Sequence, residues 1–189
     1  ERLDYKVVAG SDNIEITELV NDSRKVVPGS VFVCISGAVS DGHQYVKDVA
    51  EKGAAAVIVE KDVEVPEGLT VIKVEDTRYA LALMSAAYFG YPAEKLKTIG
   101  ITGTKGKTTT TYMVKAILEE VGHKVGLIGT IEAIIGDKTI PSNNTTPESY
   151  TIQKYFAQMV EAGCDCVVME VSSQGLMLHR TAGIMFDIG

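Results

Sequence analysis

The sequence predicts an α/β protein made of two strand–helix blocks, the second carrying part of a P-loop, doubly wound, mainly parallel sheet. Three observations carry this. Short β-branched runs alternate with amphipathic stretches along most of the 189 residues, the pattern of parallel strands covered by helices. A glycine-broken loop, Thr102-Gly-Thr-Lys-Gly-Lys-Thr-Thr109, joins one such run to a helix. A stop sequence, Gly90-Tyr-Pro92, separates the blocks and sets a domain boundary at residues 94/95.

In the first block, Ser30–Ile35 reads as a strand, His43–Lys52 as a helix stopped by Gly53, and Ala54–Val59 and Thr70–Val74 as further strands. Asp76 is placed to cap a helix reaching Phe89, with Tyr79, Leu83, Ala86 and Ala87 inward. The second block opens with the strand Thr98–Thr102. Its helix runs from Lys107 to Val121, with Met113, Val114, Ile117, Leu118 and Val121 on one face. A strand follows at Val125–Thr130. Thr146-Pro147 then caps a helix ending near Gly163. Asp165–Val171 is an apolar strand that turns acidic at Glu170, and Phe186–Gly189 begins another. The second block holds few strands for a nucleotide-binding domain, so the sequence is expected to be part of a larger protein.

A net charge of −7 argues against a broad basic face for nucleic acid. No run of about 18 apolar residues offers a membrane span, and no signal-peptide pattern opens the chain; a cytoplasmic location is expected. Cys34, Cys164 and Cys166 lie in apolar runs and read as reduced core thiols. The Cys-x-Cys pair has no histidine near it in sequence to complete a metal site. His43 is expected at an exposed helix start, and His123 shows no partner.

The chemistry concentrates in the glycine loop. Glycines let backbone amides face an anion, a helix N-terminus adds its dipole, and Lys107 adds a full charge. Thr108 can reach the Mg²⁺ that accompanies a nucleoside triphosphate. The strict pattern G-x-x-x-x-G-K-[ST] needs glycine at 101, where this chain has Ile101; the glycines fall at Gly100, Gly103 and Gly106. Glu170, at the carboxyl end of its strand, would face the same crevice and hold the metal; its alternative role is to cap the next helix. Taken alone, Asn143-Asn-Thr-Thr-Pro147 is a capping segment, Asp22-Ser-Arg24 a turn with a surface ion pair, and Arg180 an anion contact.

Together these segments resemble the Mur ligase family, whose ATP loop departs from the strict pattern in the same way; folylpolyglutamate synthetases share a related loop. Asp22-Ser-Arg24 with Pro28–Val33, Asn144-Thr-Thr-Pro-Glu-Ser149, and Met169-Glu-Val-Ser-Ser173 with His179-Arg180 narrow the likeness to the branch adding the third residue of the peptidoglycan stem peptide. The resemblance implies a three-domain ATP-dependent amide ligase and a monomer, of which this chain carries the first domain (1–94) and part of the second (95–189). The first domain would bind UDP-N-acetylmuramoyl-L-alanyl-D-glutamate through Ser23 and the loop 37–42. The second would bind ATP through Gly103, Thr104, Lys105, Gly106, Lys107, Thr108 and Thr109, with Mg²⁺ on Thr108 and Glu170. Lys107 and Glu170 would be catalytic. Asn144, Thr145, Thr146, Ser172 and Arg180 would contact the muramoyl-dipeptide. The choice of free amino acid, L-lysine or meso-diaminopimelate, belongs to the third domain, so this stretch by itself is expected to bind without turnover.

Departures from the family's pattern fall at Lys105, Gln174 and Leu178, the last two bearing on substrate contacts. A P-loop switch or small-molecule kinase is the competing class, and a nucleotide-binding module without turnover is another.

Overall fold

The structure is a computed structural model that describes residues 3–37 and 40–189. The chain divides into two compact units, Glu1–Leu81 and Ala82–Gly189. The division falls inside a helix, Thr77–Tyr88, ahead of the 94/95 turn expected from the sequence.

The first unit holds strands β1 (Tyr5–Ala9), β2 (Leu19–Val20), β3 (Val31–Val33), β4 (Ala56–Val59) and β5 (Thr70–Val74), with helix α1 (Val46–Glu51) and the start of α2 (Thr77–Tyr88). Its sheet runs β1-β5-β4-β3-β2. Strands β2 to β5 pair in parallel and β1 lies antiparallel on β5. Strands β3 and β4 are buried throughout, which is why they read as continuous apolar runs. The expected helix 43–52 is split into a 3-10 turn at Gly42–Tyr45 and α1. Asp76 does accept a hydrogen bond from Tyr79 N at 2.8 Å. Of the expected apolar positions of α2, Ala86 is buried whereas Tyr79 is 40% exposed, and Ala80, Leu81, Ala82 and Ser85 complete the buried face. Apart from Leu81 the inward positions are taken by small side chains, which an apolar count weighs least.

The second unit contains β6 (Lys97–Ile101), α3 (Lys107–Glu120), β7 (Val125–Ile128), β8 (Glu132–Ile135), β9 (Lys138–Pro141), α4 (Ser149–Glu161), β10 (Cys166–Glu170) and α5 (Ser173–Met177). The strand order is β6-β10-β7-β8-β9. The first three are parallel, and β8 and β9 form an antiparallel hairpin beside β7. Helices cover both faces of the parallel strands. Val114 and Leu118 of α3 pack on Ile99, Val125, Cys166 and Val168; Ile152, Phe156 and Met159 of α4 pack on Ile128, Val167 and Met169. Each large apolar side chain so buried contributes about 1.5–3 kcal/mol.

The expected apolar face of α3 is only partly inward. Met113, Ile117 and Val121 are 60%, 63% and 69% exposed, while Thr111 is fully buried. Thr111 tolerates burial because its hydroxyl donates to Lys107 O at 2.7 Å. Helix α4 starts at Ser149 with Glu148 as its N-cap residue, so Thr146 is not the cap and its hydroxyl is used elsewhere. The strand expected at 186–189 is a single bridge, Ile188 to Ile99, on the β6 edge.

Candidate functional site

Strand β6 ends at Ile101, and an exposed loop carries the chain to α3. Gly103 (φ +142°) and Gly106 (φ +81°) hold left-handed backbone that glycine takes without strain. Gly106 is the N-cap residue of α3 and offers no side-chain cap, leaving first-turn amides for an anion. Lys107 folds over the loop, Nζ donating to Gly103 O at 2.8 Å. Thr104, Lys105 and Thr109 are exposed.

Parallel pairing sets Glu170, the last residue of β10, beside Ile101, the last of β6. That register places its carboxylate against the first turn of α3. Thr108 Oγ1 lies 2.9 and 3.0 Å from the two Glu170 oxygens. Thr130, just past β7, donates its backbone N–H to Oε1 at 2.8 Å and its hydroxyl to Oε2 at 3.1 Å. Glu170 is only 1% exposed, and all these partners are neutral. A buried carboxylate held only by neutral donors bears a desolvation cost that a cation would offset.

The surroundings are fitted to that carboxylate. A Cβ at Gly129 would lie 2.6 Å from Glu170 Oε1, so any side chain there would force the hydrogen-bonded carboxylate to shift. Gly129 N bonds Glu132 O at 3.0 Å, and Tyr112 donates its hydroxyl to Glu132 Oε1 at 2.7 Å. Burial first, then the Glu132 carboxylate, push the Tyr112 phenol up to about 12.

Four expected substrate residues join the same network. Thr145 Oγ1 shares a hydrogen bond with Thr130 Oγ1 at 3.0 Å. Thr146 Oγ1 donates to Glu170 O and accepts Ser172 N–H, both at 2.9 Å. Ser172 Oγ accepts Gly175 N–H at 3.0 Å and caps α5. Arg180 donates to Thr146 O at 2.9 Å and to Glu148 Oε1 at 2.6 Å, while its Nε is buried without a partner among the described residues. Asn144 and Gln174 are exposed.

In the first unit, Asp22 and Arg24 form the expected surface pair, with bonds of 2.9 Å from Nε and Nη2. The Arg24 hydrogen bonds hold the Asp22 carboxyl down at about 2. Ser23 is half-buried, and its carbonyl accepts Lys52 Nζ at 2.9 Å. Of the loop 37–42, Ala38 and Val39 lie outside the described residues. His43 is not the exposed residue expected. Its side chain is 7% exposed; Nε2 accepts Glu60 N–H at 3.1 Å, so Nδ1 carries the proton toward Asp41 Oδ1 at 2.6 Å. His123 likewise has a partner, Asp165, at 2.7 Å.

Sequence reasoning missed Thr130, Gly129 and the Tyr112–Glu132 pair. Applying to β7 the strand-end rule that singled out Glu170 would have found Gly129 and Thr130.

A parallel sheet flanked by helices, a glycine loop opening a helix and a buried acid on the neighbouring strand define a P-loop type nucleotide-binding unit. Residues 101–189 match the Mur ligase middle domain, and residues 15–89 match the Mur ligase family, catalytic domain. The chain belongs to the Mur ligase family and carries parts of its N-terminal and middle domains. It is 50% identical, over 99% of its length and 39% of the relative's, to the UDP-N-acetylmuramoyl-L-alanyl-D-glutamate--2,6-diaminopimelate ligase of Clostridium perfringens. Its identity to ligase 1 of that description from Clostridium acetobutylicum is 51%, over 98% of the chain and 38% of the relative. The chain therefore spans about two fifths of the length of these curated relatives. Among solved structures, a UDP-N-acetylmuramoyl-L-alanyl-D-glutamate--2,6-diaminopimelate ligase shares the fold with a TM-score of 0.77 at 24% identity, covering 89% of this chain and 34% of that one. MurF ligase from Thermotoga maritima in complex with ADP shares it at TM-score 0.55 and 22% identity, over 94% and 37% of the two chains. No helix among the described residues is long and apolar enough to cross a membrane.

Proposed function

We propose that this chain forms the UDP-substrate and ATP-binding parts of a cytoplasmic, monomeric ligase. The ligase would add the third amino acid to UDP-N-acetylmuramoyl-L-alanyl-D-glutamate. The names of the similar ligases favour 2,6-diaminopimelate over lysine as that amino acid. The observation that carries the reading is the meeting of the Thr108 hydroxyl with the buried Glu170 carboxylate beside the Gly103–Thr109 loop.

Hard oxygen donors around a carboxylate with only neutral partners suit Mg²⁺, and Thr108 and Glu170 would hold it. When bound, the ion offsets charge on the phosphate oxygens of ATP. The loop amides and Lys107 receive the phosphates; Lys107 would exchange its bond to Gly103 O for a phosphate oxygen, where its charge stabilises the transferring group. The terminal carboxylate of the substrate attacks the γ-phosphorus, giving an acyl phosphate and ADP. The amine of the incoming amino acid then attacks the acyl carbon, phosphate leaves, and the amine loses a proton. Asn144, Thr145, Thr146, Ser172 and Arg180 would hold the muramoyl-dipeptide in line for the first step, with Ser23 and the loop 37–42 on its UDP end. The buried Arg180 Nε–H supports an anion contact at this position.

The test is isothermal calorimetry of Mg·ATP and of UDP-N-acetylmuramoyl-L-alanyl-D-glutamate against the parent chain and Lys107→Ala. The proposal expects the substitution to abolish ATP binding and to spare the UDP-linked ligand. Equal ATP binding by both proteins would overturn the role given to Lys107.

A further inference from the structure

At the opposite end of β10 from Glu170, about 13 Å along the strand at 3.3 Å per residue, a second cluster of ligating side chains forms. His123 from the turn after α3, Asp165 from the turn before β10 and Cys166 at its start bring one ligand atom each to within 4.8 Å of one another. We infer that His123, Asp165 and Cys166 form a binding site for a borderline-soft divalent cation of the Zn²⁺ class, separate from the nucleotide site.

Four observations carry the inference. First, the donor set is mixed nitrogen, oxygen and sulfur, which suits zinc and is poor for Mg²⁺ or Ca²⁺. Second, the ligands are already gathered: His123 Nδ1 lies 2.7 Å from Asp165 Oδ2. Third, the backbones that carry them are pinned. His123 N bonds Leu118 O at 3.0 Å, Asp165 N bonds Lys124 O at 3.0 Å, and Lys97 N bonds Asp165 O at 2.8 Å. The second Asp165 oxygen accepts Lys124 N–H at 3.0 Å, the outer-shell bond that orients a ligating carboxylate. Fourth, access is one-sided. The His123 and Asp165 side chains are 44% and 55% exposed, whereas Cys166 is buried at 3%, so a cation can enter from solvent and meet the thiol at the floor.

Binding would exchange the His123–Asp165 hydrogen bond for two metal bonds, with the Nδ1 proton moving through solvent to Nε2, and would release the Cys166 thiol proton to solvent. A fourth position would be left to water. The site would staple the entrance of β7 to that of β10, tightening the sheet from the end remote from the glycine loop.

The test uses the untagged 189-residue chain, titrated with Zn²⁺ against a chromogenic chelator, and with Co²⁺ read by absorption. One equivalent of Zn²⁺ should bind, and Co²⁺ should show a sulfur-to-metal charge-transfer band in the near ultraviolet. His123→Ala should weaken Zn²⁺ at least tenfold, and Cys166→Ser should abolish the band. Because Cys166 is buried, His123→Ala, at a half-exposed side chain, keeps the test valid if Cys166→Ser fails to fold. Zn²⁺ affinity unchanged in His123→Ala, a band persisting in folded Cys166→Ser, or no Zn²⁺ retained by the parent chain would each overturn the inference.

Discussion

Replacing Thr108 by valine keeps the side chain's shape and removes one hydrogen-bond donor from a buried carboxylate. In the parent chain Thr108 Oγ1 sits 2.9 and 3.0 Å from the Glu170 oxygens, and Thr130 supplies the two remaining donors. A hydrogen bond to a charged group contributes about 1.5–3 kcal/mol. Two donors remain to solvate the carboxylate, so the loss should fall near the middle of that range, about 2 kcal/mol. For a unit of roughly one hundred residues each kcal/mol moves Tm by about 4 °C, giving a fall of about 8 °C. Thermal unfolding by circular dichroism without nucleotide measures it. Thr110→Val, at an exposed position of the same helix, is the control and should change stability by less than about 0.5 kcal/mol. A shift below about 2 °C for Thr108→Val, or one equal to the control's, would refute the claim that Thr108 supports Glu170.

Three further outcomes are expected. Gly129→Ala drives a methyl to 2.6 Å from Glu170 Oε1, so it should cost about 1–3 kcal/mol in urea unfolding and weaken Mg·ATP binding; an unperturbed variant would show that the carboxylate can move aside freely. Cys34 is fully buried, and burial, then the Asp41 and Glu60 charges, push its thiol up to about 12; iodoacetamide at pH 9 should label it only after denaturation, as mass spectrometry of the peptides will report. Stability should also fall in acid. Hydrogen bonds from Arg24, from Lys61 and His43, and from His123 hold the Asp22, Asp41 and Asp165 carboxyls below the usual range. The unfolded chain thus binds more protons, and the stabilisation is complete above about pH 4 and lost as pH drops through the lowered values. Urea midpoints at pH 7 and pH 3 measure this, and because the pairs lie near the surface the difference should shrink in high salt.

The glycine loop opening α3 and the strand-end Glu170 are legible because their signals are local. Glycine spacing, a following helix and an acid ending an apolar strand can all be read within a few residues. The hairpin of β8 and β9 is legible too, since Gly136-Asp137 between Ala133-Ile-Ile135 and the β-branched pair Thr139-Ile140 is a two-residue turn signal. Strand β1 is harder: its Tyr5-Lys-Val-Val-Ala9 run is short and mostly exposed as an antiparallel edge strand on β5, a partner distant in sequence. The α3 face misled because Thr111 meets the sheet by satisfying its own hydroxyl, which leaves Met113, Ile117 and Val121 outside. Partners distant in sequence were invisible in principle. Thr130 and Glu170 stand 40 residues apart, and His123 and Asp165 stand 42 apart; only the parallel crossover brings them together. The Mur ligase resemblance read from four ordered segments agrees with the family that the matched domains show.

The central claim is that Glu170 and Thr108 couple a divalent cation to ATP at the Gly103–Thr109 loop. Its most direct test is ATP affinity by calorimetry with Mg²⁺ and with a chelator, in the parent chain and in Glu170→Gln. The parent should bind ATP at least tenfold more tightly with Mg²⁺, and Glu170→Gln should lose that gain while remaining folded. An equal Mg²⁺ dependence in the two proteins would contradict it.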